Sequence, residues 1–488
     1  MRDDQIRARL TEQNPWWRAL ASSRGRLAWI DGDRLLTARR AFDLGYRPRI
    51  LEDVAEGPID DKLVILRGPR RVGKSVLLKD TIATMCARDD IDPRQIIYLQ
   101  TDGMRAGDLN RVAKLGRELT RSLGEAVPRV WLLDEVTGID GWTEALKYLR
   151  DTTHFGADSV VCTGSSWDLR GDVERDLLAG RAGTSTARRM RVLHPMSFPA
   201  VVRATGRDVP LPVPVAPWAL QEPHTRRAGE DLELYVDELD LAWQAFLTSG
   251  GFPRAVAEHY RADEVSTPFL QDLAAWLHRD VDADAAEDSV GRLLSALQMR
   301  STSPLNRTKL AEDVNYPSRH VLDVRLNRLV RTFAAVWCHQ VGVKGERIPS
   351  AHPKLYLTDP ILAWIGPRLR SGLPEPDFTQ LTEAALGCAL ARAIDTAEPE
   401  RWATNDSIGY ARTGHGNEVD FAPVPARGPS GPMMTTPIES KWVVTGWRTE
   451  ARSIEAKFHA GIVATRTIQN YDHESWAIPA PVLALLLG

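Results

Sequence analysis

Residues 68–75 read Gly-Pro-Arg-Arg-Val-Gly-Lys-Ser, the spacing GxxxxGK[ST]. Glycines at such positions let backbone N–H groups turn inward and cradle phosphates. Gly68, Pro69, Arg70, Arg71, Val72, Gly73, Lys74, Ser75 and Val76 are therefore the nucleotide-binding candidates. Lys74 would reach the β- and γ-phosphates, and the Ser75 hydroxyl would ligate Mg²⁺. Only ten of the 62 basic residues are lysines, so arginine is the default cation here. A compact ammonium at position 74 suits a phosphate pocket better than a planar guanidinium.

Two further groups of residues could do chemistry. Arg129–Val136 reads RVWLLDEV and ends an apolar run in two acids. Asp134 is the candidate for holding Mg²⁺, directly or through water. Glu135 is the candidate base that orients an attacking water. Farther on, Glu383 sits early in an apolar-periodic stretch, Asp420 lies in Glu-Val-Asp-Phe, and Glu439 and Lys441 lie in Ile-Glu-Ser-Lys-Trp. Glu-x-Lys on a strand puts both side chains on one face, because alternation has period two. Asp420 and Glu439, with Glu383 as an extra acid, could bind Mg²⁺. Lys441 could then position a water or stabilise leaving charge.

These groups need elements to position them. Lys62–Arg67 (KLVILR) reads as a buried strand running into the phosphate loop. Ser75–Cys86 reads as a helix whose N-terminus lies under the phosphates. Further strand candidates are 96–101, 129–134, 159–163 and 189–193, with helix-like runs between them. Such alternation predicts an α/β fold with a parallel sheet covered by helices. The run 159–166 (SVVCTGSS) would end beside the phosphate site, where Thr163 and Ser165 either sense the γ-phosphate or form a simple turn.

Bulk composition sets the limits. A chain of 488 residues should divide into two to four domains. The net charge of −3 gives no global pull toward nucleic acid or an anionic membrane. Four scattered cysteines without a CxxC pair read as small buried hydrophobes in a reducing compartment. No apolar run approaches the length needed to span a bilayer, and the N-terminus has no signal-like segment. The expected location is the cytoplasm, with no membrane partner. Trp16 and Trp17, in an N-terminal helical extension (1–57), are expected to be packing anchors. Residues 205–231 are rich in Pro and polar residues, which suggests an insertion or linker.

The sequence resembles a prokaryotic AAA+ ATPase family that joins an ATPase core to a winged helix and a C-terminal domain similar to PD-(D/E)XK nucleases. GPRRVGKS, WLLDEVTGIDGWTEALKYLRD, VVCTGSS, LLAGRAG and LHPMSFPAVV carry the likeness. It covers roughly residues 45–488, excluding 205–231. The resemblance implies ATP and Mg²⁺ as cofactors, Asp134 and Glu135 as an acid pair, and Thr163–Ser166 as a sensor segment. It implies Arg181, in LAGRAG, as an arginine finger or sensor. Gly250-Gly251-Phe252-Pro253 resembles the family's turn near adenine, which makes Pro253 a nucleotide contact. The implied order is an ATPase core (58–204), a helical lid (232–288), a winged helix (289–370) and a nuclease-like domain (371–488).

Within 289–370, helices are expected at 290–299, 307–313 and 317–331. Val321, Leu322, Val324, Leu329 and Val330 are its core candidates. Arg319, Arg325, Arg328 and Arg331 could form a polar face. This stretch carries 13 Lys+Arg against 5 Asp+Glu, so it could grip DNA, or it could be a lid or partner-binding surface. Residues 371–488 carry 9 Lys+Arg against 14 Asp+Glu, a poor balance for holding DNA unaided. Their loop 424–436, rich in Gly and Pro, reads as long and mobile. Two functions follow: an ATP-regulated, metal-dependent nuclease, or a switch ATPase with an inactive nuclease-like domain that binds a partner. In the second, nucleotide state controls assembly, including a nucleotide-dependent homo-oligomer.

Overall fold

In the first 200 residues, strand runs alternate with helices, and this alternation builds a parallel sheet. The computed structural model describes residues 1–21, 25–166, 177, 189–284, 286, 289–397, 407–413, 417–429 and 431–488. The chain divides into two units, Met1–His194 and Pro195–Gly488. In the first unit the strands are β1 (Leu63–Arg67), β2 (Ile96–Gln100), β3 (Val130–Asp134), β4 (Ser159–Gly164) and β5 (Met190–Val192). Each lies within a residue of its expected run. Their order is β2-β3-β4-β1-β5, and every pairing is parallel. All residues of β1, β3 and β4 are buried. Burial on both faces is why these strands read as continuous apolar runs instead of alternating ones.

β2 is an edge strand, and the N-terminal segment covers it with side chains. Asn14 accepts from the Tyr98 N–H at 2.7 Å and donates to the Tyr98 carbonyl at 2.8 Å. Gln13 accepts from the Gln100 N–H at 2.8 Å. The indoles of Trp16 and Trp17 both donate to the Ile96 carbonyl, at 3.0 and 2.9 Å. These bonds occupy backbone groups that would otherwise template another strand. Trp16 is also buried against Trp29, with ring centroids 5.0 Å apart. Trp16 is thus a packing anchor, and the half-buried Trp17 is held by its indole hydrogen bond.

In the second unit, helices Ser289–Gln298, Arg307–Asp313 and Arg319–Arg331 precede two antiparallel strands, β6 (Ala335–Gln340) and β7 (Lys354–Leu357). Leu322, Leu329 and Val330 are buried as expected, but Val321 and Val324 are only half-buried. Leu326, not singled out from sequence, is fully buried. Leu322, Leu326 and Leu329 make the i, i+4, i+7 stripe of an amphipathic helix, and this stripe sets the buried face.

The boundary expected at residue 370 is crossed by one sheet. β6 pairs in parallel with β8 (Ile408–Arg412), which pairs antiparallel with β9 (Glu418–Val419), giving the order β7-β6-β8-β9. The stretch expected to be a mobile loop instead holds a hairpin, β10 (Pro425–Gly428) with β11 (Gly431–Met434). A parallel sheet of β12 (Ile438–Ser440), β13 (Ile462–Thr465) and β14 (Trp476–Pro479) follows. Val419, Trp447, Ala451, Ile454, Val463 and Ala477 share one apolar cluster.

Residues 205–231 are tied down rather than slack. The Val215 N–H donates to Leu486 O at 2.7 Å, and Thr436 N–H donates to Pro217 O at 2.9 Å. Gln221 donates to the carbonyls of Gly461 and Glu474. All four cysteines are buried, and burial pushes each thiol well above its ordinary range. Among the described residues, no helix is long and apolar enough to cross a membrane.

Candidate active site

The phosphate loop joins β1 to the helix Lys74–Ala87. Gly68 has φ +151°, and a Cβ there would lie 2.2 Å from the Leu193 carbonyl oxygen, so only glycine fits. Gly73, at φ +103°, caps the helix in a conformation L residues avoid. Lys74 opens that helix and is buried. Its ammonium donates to the carbonyls of Gly68 and Pro69, both at 2.9 Å. Ser75 and Val76 follow in the first turn and are half-buried, while Val72 is buried.

Register places the acid pair. Across the sheet, Gln100 pairs with Asp134, Leu133 with Cys162, and Thr163 with Leu66. Asp134 therefore ends β3 level with Thr163 on β4 and with the last residues of β1 before the loop. The buried Asp134 carboxylate accepts from Thr163 Oγ1 at 2.5 Å and from the Tyr98 hydroxyl at 3.0 Å. Burial and the Asp134 charge push the Tyr98 phenol far above its usual range, so it stays a donor. Thr163 Oγ1 also accepts from the Glu135 N–H at 2.8 Å. Glu135 adopts φ +59°, a left-handed conformation that costs a non-glycine residue roughly 1–3 kcal/mol. Thr163, expected as a γ-phosphate sensor, is fully buried and is committed to holding both acids in place. Ser165 is nearly buried on the segment after β4. Arg181 lies outside the described residues.

Sequence reasoning missed Tyr98 and its neighbours. Lys79, one helical turn and a residue beyond Lys74, is buried 4.0 Å from the Tyr98 ring centroid and 3.2 Å from Asp33. The rings of Trp16 and Trp29 lie 5.2 and 5.8 Å from the same ammonium. Burial pulls its pKa down, against the pull of Asp33. The scarcity of lysine was the one signal that could have found it.

The C-terminal constellation does assemble. Phe421 and Ile438 exchange backbone hydrogen bonds at 2.9 Å, which sets Asp420 opposite Glu439. Lys441 lies 2.7 Å from Glu439 and 3.8 Å from Asp420. A residue not anticipated stands among the acids. Lys354 Nζ lies 2.8 Å from Glu383, 2.6 Å from Glu418 and 3.0 Å from Asp420. The oxygens of Asp420 and Glu439 already accept from protein donors: Lys354, Ser440 N–H, Lys441 and Asp420 N–H. Glu383 accepts from Lys354 and from the Tyr356 hydroxyl at 2.7 Å. Among the described residues, no three His, Cys, Asp or Glu side chains are grouped to hold a metal ion. As arranged, Glu383, Asp420 and Glu439 are thus engaged by protein donors.

The arginine face expected on helix Arg319–Arg331 is also partly spent. Arg325 bonds the buried Asp282 at 2.6 Å, and Arg328 donates to Val281 O at 3.1 Å. Arg319 and Arg331 remain exposed.

Pro253 begins the helix Pro253–Ala262, within the second unit. The turn before it is held by Asp359, which accepts from the N–H groups of Gly251 at 2.8 Å and Ile361 at 3.1 Å. Burial raises the Asp359 carboxyl from 3.8 to about 6, with Arg392 the one nearby charge opposing the shift. Between those values the folded state binds more protons than the unfolded state. Stability from this group therefore falls as pH rises through that window and levels off above it. Asp359→Asn is expected to remove that slope. In urea titrations, the wild type should lose roughly 2 kcal/mol more than the variant between pH 4.5 and 6.5. Parallel curves would contradict the assignment.

A family model described as an AAA domain matches residues 60–202, and a domain of unknown function (DUF8612) matches residues 241–365. The sheet and phosphate loop of the first unit lie within the stretch matched by the AAA-domain model. No curated protein is significantly similar in sequence. Among solved structures, the chain is similar to a Walker-type ATPase of Pyrococcus abyssi at 17% identity and TM-score 0.40, over 67% of this chain and 96% of that one. It is similar to Thermotoga maritima RuvB at 14% identity and TM-score 0.26, over 60% and 86%. It is also similar to the Aeropyrum pernix ORC1 protein in complex with DNA, at 14% identity and TM-score 0.30, over 73% and 95%. All three TM-scores are below 0.5, so these likenesses are partial.

Proposed function

We propose that the first unit binds ATP with Mg²⁺ and hydrolyses it, and that the chain is a nucleotide-driven switch. One observation carries this reading: Thr163 locks Asp134 and Glu135 at the carboxyl edge of the sheet, level with the strand that feeds the phosphate loop. Ligands bind at that edge in open parallel sheets.

The residues suit their tasks. Lys74 exchanges two carbonyl partners for anionic phosphate oxygens, so that both donor and acceptor carry charge. Backbone N–H groups of residues 68–76 and the helix N-terminus add to the anion site. Ser75 and Asp134 would hold Mg²⁺. Both Asp134 oxygens already accept from hydroxyls, but each oxygen keeps a second lone pair, so the carboxylate fits an ion held through water. When bound, Mg²⁺ neutralises developing phosphate charge. Glu135, at the end of the rigid strand, orients and polarises the attacking water. Arg181 is the arginine proposed to stabilise charge in the transition state.

Of the two outputs open from sequence, partner binding by the second unit is favoured over cleavage. The engaged carboxylates at Asp420 and Glu439 and the committed Arg325 and Arg328 support this reading. Nucleotide state would then set assembly, including self-assembly. The test is phosphate release with ATP and Mg²⁺, run beside light scattering with and without a non-hydrolysable analogue. Turnover and a nucleotide-dependent change in mass are expected. No release and no change of mass would sink the proposal, and metal-dependent cleavage of plasmid DNA would sink the partner-binding output.

A further inference from the structure

The second unit gathers four carboxylates, Glu383, Glu418, Asp420 and Glu439, around two of the chain's ten lysines. Lys441 is one-third exposed and stands at the rim, whereas the Lys354 side chain has no solvent contact. An ammonium has three protons to donate. Lys354 donates to Glu383, on the helix Phe378–Ala397, and to Asp420, just after β9, and it forms a third ion pair with Glu418 on β9 at 2.6 Å. The Tyr410 ring lies 5.5 Å from the same ammonium. β6 fixes the lysine's place, since Cys338 pairs with Lys354 on one side and Ile408 on the other.

We infer that Lys354 is the resident cation of this cluster, an ammonium delivered by β7 to the place among Glu383, Glu418 and Asp420 where a divalent ion would otherwise be needed. Buried carboxylates that stay ionised are costly without a positive charge beside them. Here the charge is covalently part of the chain, so chelators cannot remove it and the cluster needs no metal to fold. The ammonium also joins the strand pair β6–β7 to the C-terminal elements. The second unit is then a closed ionic joint rather than a metal-dependent catalyst. This inference does not depend on ATP hydrolysis by the first unit.

The test is Mn²⁺ titration of the nucleotide-free full chain, followed by electron paramagnetic resonance and thermal unfolding. Wild type and Glu439→Gln should bind the same amount of Mn²⁺, and neither EDTA nor Mn²⁺ should move the wild-type Tm. Lys354→Ala should unfold at a lower temperature, gain one Mn²⁺ per chain and recover Tm as Mn²⁺ is added. Adding Glu383→Gln to it should abolish the gain. Mn²⁺ bound by the wild type and lost in Glu439→Gln would overturn the inference. So would a folded Lys354→Ala that gains no Mn²⁺. If Lys354→Ala does not fold, the wild-type comparison with Glu439→Gln decides alone.

Discussion

Lys74→Ala is expected to weaken ATP binding by about 10²–10⁴-fold, from the loss of two charge-assisted hydrogen bonds at roughly 1.5–3 kcal/mol each. The ammonium is already aimed into the loop by its bonds to the Gly68 and Pro69 carbonyls. It therefore needs little reorganisation to meet a phosphate. No other cation on this loop can substitute, because Arg70 and Arg71 stand on the more exposed part of the loop and the helix begins at Lys74. Titration with a fluorescent ATP analogue, with and without Mg²⁺, measures the effect. A dissociation constant within about threefold of wild type, a difference of roughly 0.6 kcal/mol, would refute the role given to Lys74.

Glu135→Gln should separate binding from chemistry. General bases contribute about 10²–10⁴-fold to rate, so turnover should fall by that factor while ATP affinity is kept. The prediction is sharp because the backbone at position 135 is fixed independently of the side chain. Its N–H is held by Thr163, and glutamine meets the same left-handed φ as glutamate. Single-turnover phosphate release, paired with nucleotide affinity, reads both quantities. Hydrolysis near the wild-type rate would remove Glu135 as the base. Lost binding would mean that the substitution had disturbed Asp134 instead.

Much of the first unit was legible because its signals are local. Strand, loop and helix follow one another within 62–87, and an apolar run ending in two acids marks β3. The Glu-x-Lys spacing was legible for the same reason, since period two alone puts Glu439 and Lys441 on one face. The amphipathic stripe of helix Arg319–Arg331 was read with less success. The sequence pattern places Val321 and Val324 in the core, whereas the fold leaves them half-buried and buries Leu326. The hairpin β10–β11 was hidden because its glycines and prolines resemble those of a loop. It forms through pairing across the turn, from Pro425 with Met434 to Gly428 with Gly431.

The identity of the chemical groups came from sequence, and their employment came from tertiary structure. The phosphate loop, Asp134 with Glu135, and the strands that carry them are set by short-range patterns. The backbone has only a few conformations to offer, and each leaves a periodic trace. Partners contributed from elsewhere in the chain leave no such trace. Thr163 turned out to hold the acids, Tyr98 to brace Asp134, Asp282 to claim Arg325, and Lys354 to sit among carboxylates 29 to 66 residues away. A buried charge must find an opposite charge wherever the fold supplies one. The folded chain alone decided which lysine met which acid, and with it whether the second unit has a place for a metal.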